Sequence, residues 1–269
     1  MSPEQAALAP PTSNHPIFKL TGVTIFNVMF DSLHILDCDG VTCHMIANTL
    51  FSLVYRELGG SRQGALDTVW HRIQELYGDL NVFEKIGAMK LATFCTPGAP
   101  NQNYPSLSKS VKAAEARHLA PIAYMIAREY DRGTAEDASR TQMLKHVSQF
   151  YDIAERADLI PSAEHGHGMN EALQSDLQHY SFLASISMRE HRFEYNLVPK
   201  CHFALHLGEQ SLFMNPRRFW TYGSEDFVGR LSSLALACAN GVGTLRISEQ
   251  VAIKYRVVMH MRFRRHVAD

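Results

Sequence analysis

The sequence has no CxxC pair among its five cysteines (Cys38, Cys43, Cys95, Cys201 and Cys238), and an odd set of thiols does not read as a disulfide framework. Reduced, buried thiols in an intracellular setting are the expectation. An excess of charge is also missing: 26 Lys and Arg stand against 27 Asp and Glu, so any contact with nucleic acid has to come from a local basic patch. Residues 1–16 carry Pro3, Pro10 and Pro11 with neither a basic start nor an apolar run, so a disordered leader without a secretory signal is expected there. No apolar stretch reaches the ~18 residues that a membrane helix needs, so no membrane partner is expected. A glycine-rich phosphate loop, a G-x-S-x-G elbow and an HExxH string are all absent, which sets those enzyme classes aside. No repeat is visible at periods of ~20–50 residues.

What is present is ordinary globular composition, 46% hydrophobic and 20% charged over 269 residues, which predicts a single large domain over 17–269. β-branched and aromatic residues crowd 17–30 (Phe18, Thr21, Val23, Thr24, Ile25, Phe26, Val28) and predict a strand or two. Past that point helical spacing takes over. Met45, Ile46, Leu50, Leu53 and Val54 mark a helix over 41–58 that Gly59 and Gly60 stop, and Ser61 caps a second over 66–77. A loop rich in proline, asparagine and glycine fills 96–106. Long helical patterns follow at 107–130, 134–157 and 170–189, then a run from Pro199, a helix over 225–239 capped by Ser224, and a last helix from Ser248 toward Arg265. The predicted fold class is mainly α with a small β element near the N-terminus.

Chemistry-bearing residues concentrate in a few strings. Asp31, His34, Asp37 and Asp39 fall within nine positions directly after the expected strand, where carboxylates at a strand end suit a hard ion such as Mg²⁺. A capped turn built on Asp37, Asp39 and Gly40 explains the same residues without a metal. In Pro199-Lys200-Cys201-His202-Phe203-Ala204-Leu205-His206 the two histidines stand four apart, so they share one helix face and can grip one ion, or simply occupy an amphipathic helix. Glu225 and Asp226 open a helix, where acids also serve the helix dipole. His165 and His167 sit between glycines with no nearby carboxylate pair and are read as exposed loop residues. The basic tail Lys254, Arg256, Arg262, Arg264 and Arg265 suits phosphates, or is a solvated helix end.

Taken in order, Asp31-x-x-His34, a long helical block, Pro199-Lys200-x-His202-x-x-x-His206 and Glu225-Asp226 resemble the later part of a cut-and-paste DNA transposase. The likeness is to DDE-type transposases with an RNase H-like core, CACTA-like among them, and to mobile-element proteins of dinoflagellates; it spans about residues 26–256. It implies a truncated RNase H-like core: 17–60 a strand-and-helix part, 61–196 a helical insertion and 197–269 returning core helices. It further implies Asp31 and Glu225 as catalytic acids on Mg²⁺ or Mn²⁺, with His34, Asp37 and Asp226 as candidate partners, DNA as substrate and a nuclear location. Only about 30 residues precede Asp31, too few for the strand that carries the first acid, so impaired chemistry is expected. Two other classes stay open. One is a non-catalytic helical scaffold or nucleic-acid-associated module. The other is a helical metal hydrolase that converges His34, Asp37, His202 and His206 on an ion such as Zn²⁺.

Overall fold

The computed structural model describes residues 16–21, 28–95, 103–107, 110–239 and 244–267; for 17, 18, 226, 244, 245, 259 and 261–267 it describes the backbone alone. The chain divides into two compact units, Met1–Phe219 and Trp220–Asp269.

The first unit is a layer of helices: α1 (Val41–Ser52), α2 (Arg62–Asp79), α3 (Ala113–Glu129), α4 (Ala135–Arg156), α5 (Ala163–Arg189) and α6 (Pro199–Gln210). Their starts follow side-chain chemistry. Ser61, Thr134 and Ser162 each accept a backbone N–H three residues on, from Gly64, Asp137 and His165, and Pro199 opens α6 where its missing N–H costs nothing. Gly59 and Gly60 follow the extension of α1 and Gly133 follows α3, all at positive φ. A π turn, Leu53–Glu57, extends α1.

The antiparallel pair α4 and α5 forms the spine, with α3 against α4, α1 against α3, and α6 against α5. Phe94, Phe150, Tyr180 and Tyr195 are the largest side chains sealed in the core, alongside Met45, Ile46 and Leu50 of α1. Full burial of side chains of this kind contributes roughly 1.5–3 kcal/mol each. That explains why a layer built from individually weak helices holds together.

Mainly helical architecture is therefore what the chain adopts, but the small N-terminal strand is not seen. Among the described residues there is no strand: Pro16–Lys19 is a 3-10 turn, 28–31 has no regular structure, and 22–27 lies outside the described residues. The physical reason at 28–30 is a competing partner. The Phe30 N–H donates to Gln210 Oε1 at 2.9 Å and the Gln210 amide reaches the Val28 carbonyl at 3.4 Å, so one α6 side chain takes the place of a neighbouring strand. A second difference is that α5 begins at Ala163, which puts His165 and His167 in a helix instead of a loop.

The second unit is a helical hairpin of α7 (Tyr222–Ala239) and α8 (Thr244–Val267). Phe227 and Tyr255 meet edge to face at 5.8 Å within an apolar groove between the two helices. Among the described residues no helix is long and apolar enough to cross a membrane.

Candidate functional site

The 31–40 string folds as a tight joint built from its own polar groups. Asp31 caps the π turn Leu33–Asp37: one carboxylate oxygen accepts the Leu33 N–H at 3.1 Å and the other lies 2.5 Å from His34 Nδ1. Cys38 N–H closes the turn onto the Leu33 carbonyl at 2.8 Å, Asp39 takes the left-handed φ of 49°, and Gly40 caps α1. Only glycine fits there, because a Cβ would fall on the carbonyl groups of Ile35 and Leu36. Asp37 points the other way, into the core. It is 2% exposed and accepts from the Tyr151 hydroxyl of α4, which lies 2.7 Å from Thr42 Oγ1. The Cys43 thiol donates to the Asp37 carbonyl at 3.0 Å, and burial pushes it up to about 12, far from thiolate chemistry.

Helix α6 locks onto this joint. Lys200 Nζ donates to the carbonyls of both Cys38 and Asp39 at 2.9 Å, and the Phe30 ring stacks on His206 with centroids 5.8 Å apart. His202 and His206 form their own pair, Nε2 to Nε2 at 3.1 Å, with His206 Nδ1 3.0 Å from Glu209 Oε2. Two of the three strings are thus neighbours in space; Asp31 pairs with His34 and His202 with His206 within their own strings, while Asp37 and Lys200 bond outside theirs. Among the described residues no three His, Cys, Asp or Glu side chains form a cradle for a metal ion.

The remaining candidates belong to the second unit. Glu225 stands in the first turn of α7, its N–H bonded to the Thr221 carbonyl at 2.8 Å. Lys254 and Arg256 are exposed on α8. The side chains of Asp226, Arg262, Arg264 and Arg265 lie outside the described residues.

Some charged groups that matter here lie in none of these strings. An ion cluster with Arg140, Asp137 and Glu194 at its buried centre joins α1, α4 and the segment after α5. Arg140, 2% exposed, puts Nη2 2.8 Å from Glu57 and 2.9 Å from Asp137, while Arg56 bonds Glu136 at 2.7 Å and Glu194 at 3.1 Å. Arg192 adds contacts to Glu136 and Glu194 at 3.1 and 3.4 Å. Burial works to raise both Glu136 and Glu194. In Glu136 the hydrogen bonds from Arg192 and Arg56 outweigh it and hold the acid below the usual value; in Glu194 burial prevails and the acid ends above it. On α5, Asp176 is wholly buried with neither carboxylate oxygen hydrogen-bonded, and burial pushes its acid well above the usual range. Helical patterning does not flag these residues, since a buried ion pair leaves no periodic mark. The acids Glu136 and Asp137 in the first turn of α4 were the only local sign. No family model matches the chain, and no curated protein or solved structure matches it either.

Proposed function

We propose that the chain is a transposase-derived helical module whose strand-cleaving chemistry is impaired, and whose core-like strings serve as structural joints. The carrying observation is the engagement of the acids at 31–40. Asp37 is sealed in the core on Tyr151, and Asp31 is taken up by its own turn and by His34. A pair of hard cations needs several carboxylate oxygens facing one point. Asp31 and Asp37 face opposite sides of their turn, so the donors of the first unit do not fit the Mg²⁺ or Mn²⁺ centre that the resemblance implies. On this reading the RNase H-like core is truncated, the helical layer is its enlarged insertion, and DNA contact falls to Lys254, Arg256, Arg262, Arg264 and Arg265 in the nucleus.

The test is a nuclease and strand-transfer assay with Mg²⁺ or Mn²⁺ on the purified chain, alongside Asp31→Ala and Glu225→Ala. The expected result is no turnover above background in all three. Robust cleavage abolished by both substitutions would mean that the acid set is complete, and the impaired reading would fall.

A second reading, a helical metal protein, keeps only the His202–His206 pair of the four residues His34, Asp37, His202 and His206, since among the described residues no three such side chains gather and Asp37 is taken by Tyr151. Two imidazole nitrogens on one tetrahedral Zn²⁺ stand about 3.3–3.4 Å apart for bond lengths of ~2.0–2.1 Å, and the observed spacing of 3.1 Å is a few tenths of an ångström short of that. Glu209 at His206 Nδ1 is the outer partner that would orient such a ligand. Zn²⁺ held there would act as a Lewis acid; the residues themselves supply two nitrogens and an orienting carboxylate. Titration with Zn²⁺ is expected to show micromolar to millimolar binding that His202→Ala lowers at least ~10-fold, because one of the two nitrogens goes. Equal binding by the variant would remove this reading.

A further inference from the structure

We propose that a cleft between α1, the start of α2 and the segment after α5 binds a nucleotide, with the base on aromatic rings and the phosphate on Arg62. The cleft encloses about 370 Å³, within the range of small-ligand sites, which run from roughly 300 to 1,000 Å³. Its lining combines aromatic rings with guanidinium groups. Phe51, buried at 4% exposure, backs the Tyr55 ring at 4.5 Å and 13°, the Arg62 guanidinium sits 4.7 Å from the Tyr55 ring centroid, and the ring open to a base is that of Phe193, 45% exposed. His191 completes the rim.

The charge arithmetic leaves room for an anion. Arg56 and Arg192 also line the cleft, but Glu136, Glu194 and Glu190 already neutralise them. Arg62 has no carboxylate partner among the described residues, and its contact is the face of Tyr55. A guanidinium held against a ring keeps its donors pointing outward, ready for a phosphate. Ring faces with a cation beside them are also the elements on which nucleic-acid bases stack, at any base identity.

The far wall is pre-set for its task. His191 and Tyr195 both take φ of 54°, a left-handed conformation that costs a non-glycine residue energy and persists only where neighbours enforce it. The enforcement is visible. The Tyr195 N–H donates to Asn48 Oδ1 at 2.8 Å, and its buried ring meets Tyr180 edge to face at 5.5 Å. The backbone of Arg192, Phe193 and Glu194 is set between these two residues, and the Phe193 ring meets Tyr104 edge to face at 5.6 Å, which lowers the ordering cost of binding.

This site lies in the helical layer and stands whether or not the transposase-derived reading holds. It is tested by calorimetric titration of the full chain with AMP, inorganic phosphate and a short oligodeoxyadenylate. AMP is expected to bind with Kd of roughly 10–500 µM and at least ~10-fold tighter than phosphate, since phosphate forgoes the stacking. Phe193→Ala is expected to weaken AMP at least ~5-fold and leave phosphate unchanged, while Arg62→Gln weakens both. Both residues are exposed, and an unchanged melting temperature confirms that each variant folds. If the oligonucleotide competes with AMP, the natural source is a single-stranded nucleic acid; if it does not, the source is a free nucleotide. Phosphate binding as tightly as AMP, or AMP binding that neither substitution alters, overturns the proposal.

Discussion

Arg140→Ala is expected to lower the unfolding free energy by about 3–5 kcal/mol, the usual cost of removing one partner from a buried ion pair. The size follows from what is left behind. Glu57 and Asp137 are 4% and 2% exposed, and without Arg140 their remaining neighbour is Arg132, at 3.4 and 3.1 Å and half exposed. Two carboxylates would then share one solvated guanidinium inside the helical layer. Arg140→Met, which restores most of the volume without the charge, should cost as much as the alanine change. Urea unfolding checks both. A loss under about 1 kcal/mol for either would show that the cluster is a surface feature in energetic terms, where pairs contribute ~0–1 kcal/mol.

Asp176→Leu should act in the opposite direction and stabilise the protein at neutral pH by about 1–3 kcal/mol, because an unbonded polar group is removed from the interior. The pH dependence identifies the cause. In the folded chain the Asp176 acid is raised well above its ordinary 3.8, so the folded state keeps a proton that the unfolded state gives up. Stability from this group is therefore complete below that ordinary value and declines as pH rises toward the folded one, at up to roughly 1.4 kcal/mol per pH unit. Asp176→Asn removes the proton linkage but keeps a buried amide, so it should flatten the slope with a smaller gain. The measurement is the wild-type minus variant difference in unfolding free energy from pH 4 to 8. A difference that stays level across that range would show that Asp176 ionises freely in the folded state.

Helices were legible in the sequence where a local signal brackets an apolar rhythm. Ser61 as a cap and Gly59 and Gly60 as a stop read correctly, since capping is a local matter of one side chain and one N–H; the expected starts at Ser224 and Ser248 did not, since α7 begins at Tyr222 and α8 at Thr244. The start of α5 did not, because Gly166 and Gly168 look like breakers. Their role is proximity. A Cβ at Gly166 would sit 3.1 Å from the Ser211 carbonyl oxygen, and one at Gly168 3.0 Å from the Ile153 side chain, so the glycines let α5 approach its neighbours closely. The turn chemistry of Asp39 and Gly40 was visible from residue types alone, whereas the inward turn of Asp37 depends on Tyr151, 114 positions away. The cleft was hidden for the same reason: Tyr55, Arg62 and Phe193 come from separate segments, and no spacing rule connects them.

Lys200 reaches the carbonyl of Cys38 across 162 positions of sequence. In polymer terms the helical layer between them is a lasso whose knot is one ammonium group and a few ring contacts. The entropy of closing such a loop grows only with the logarithm of its length, about 0.6 kcal/mol for each doubling. The connections between the packed helices could therefore be lengthened at little thermodynamic cost, whereas the helices themselves carry the core and could not be removed. The 31–40 and 199–210 segments close this loop over the helices packed within it.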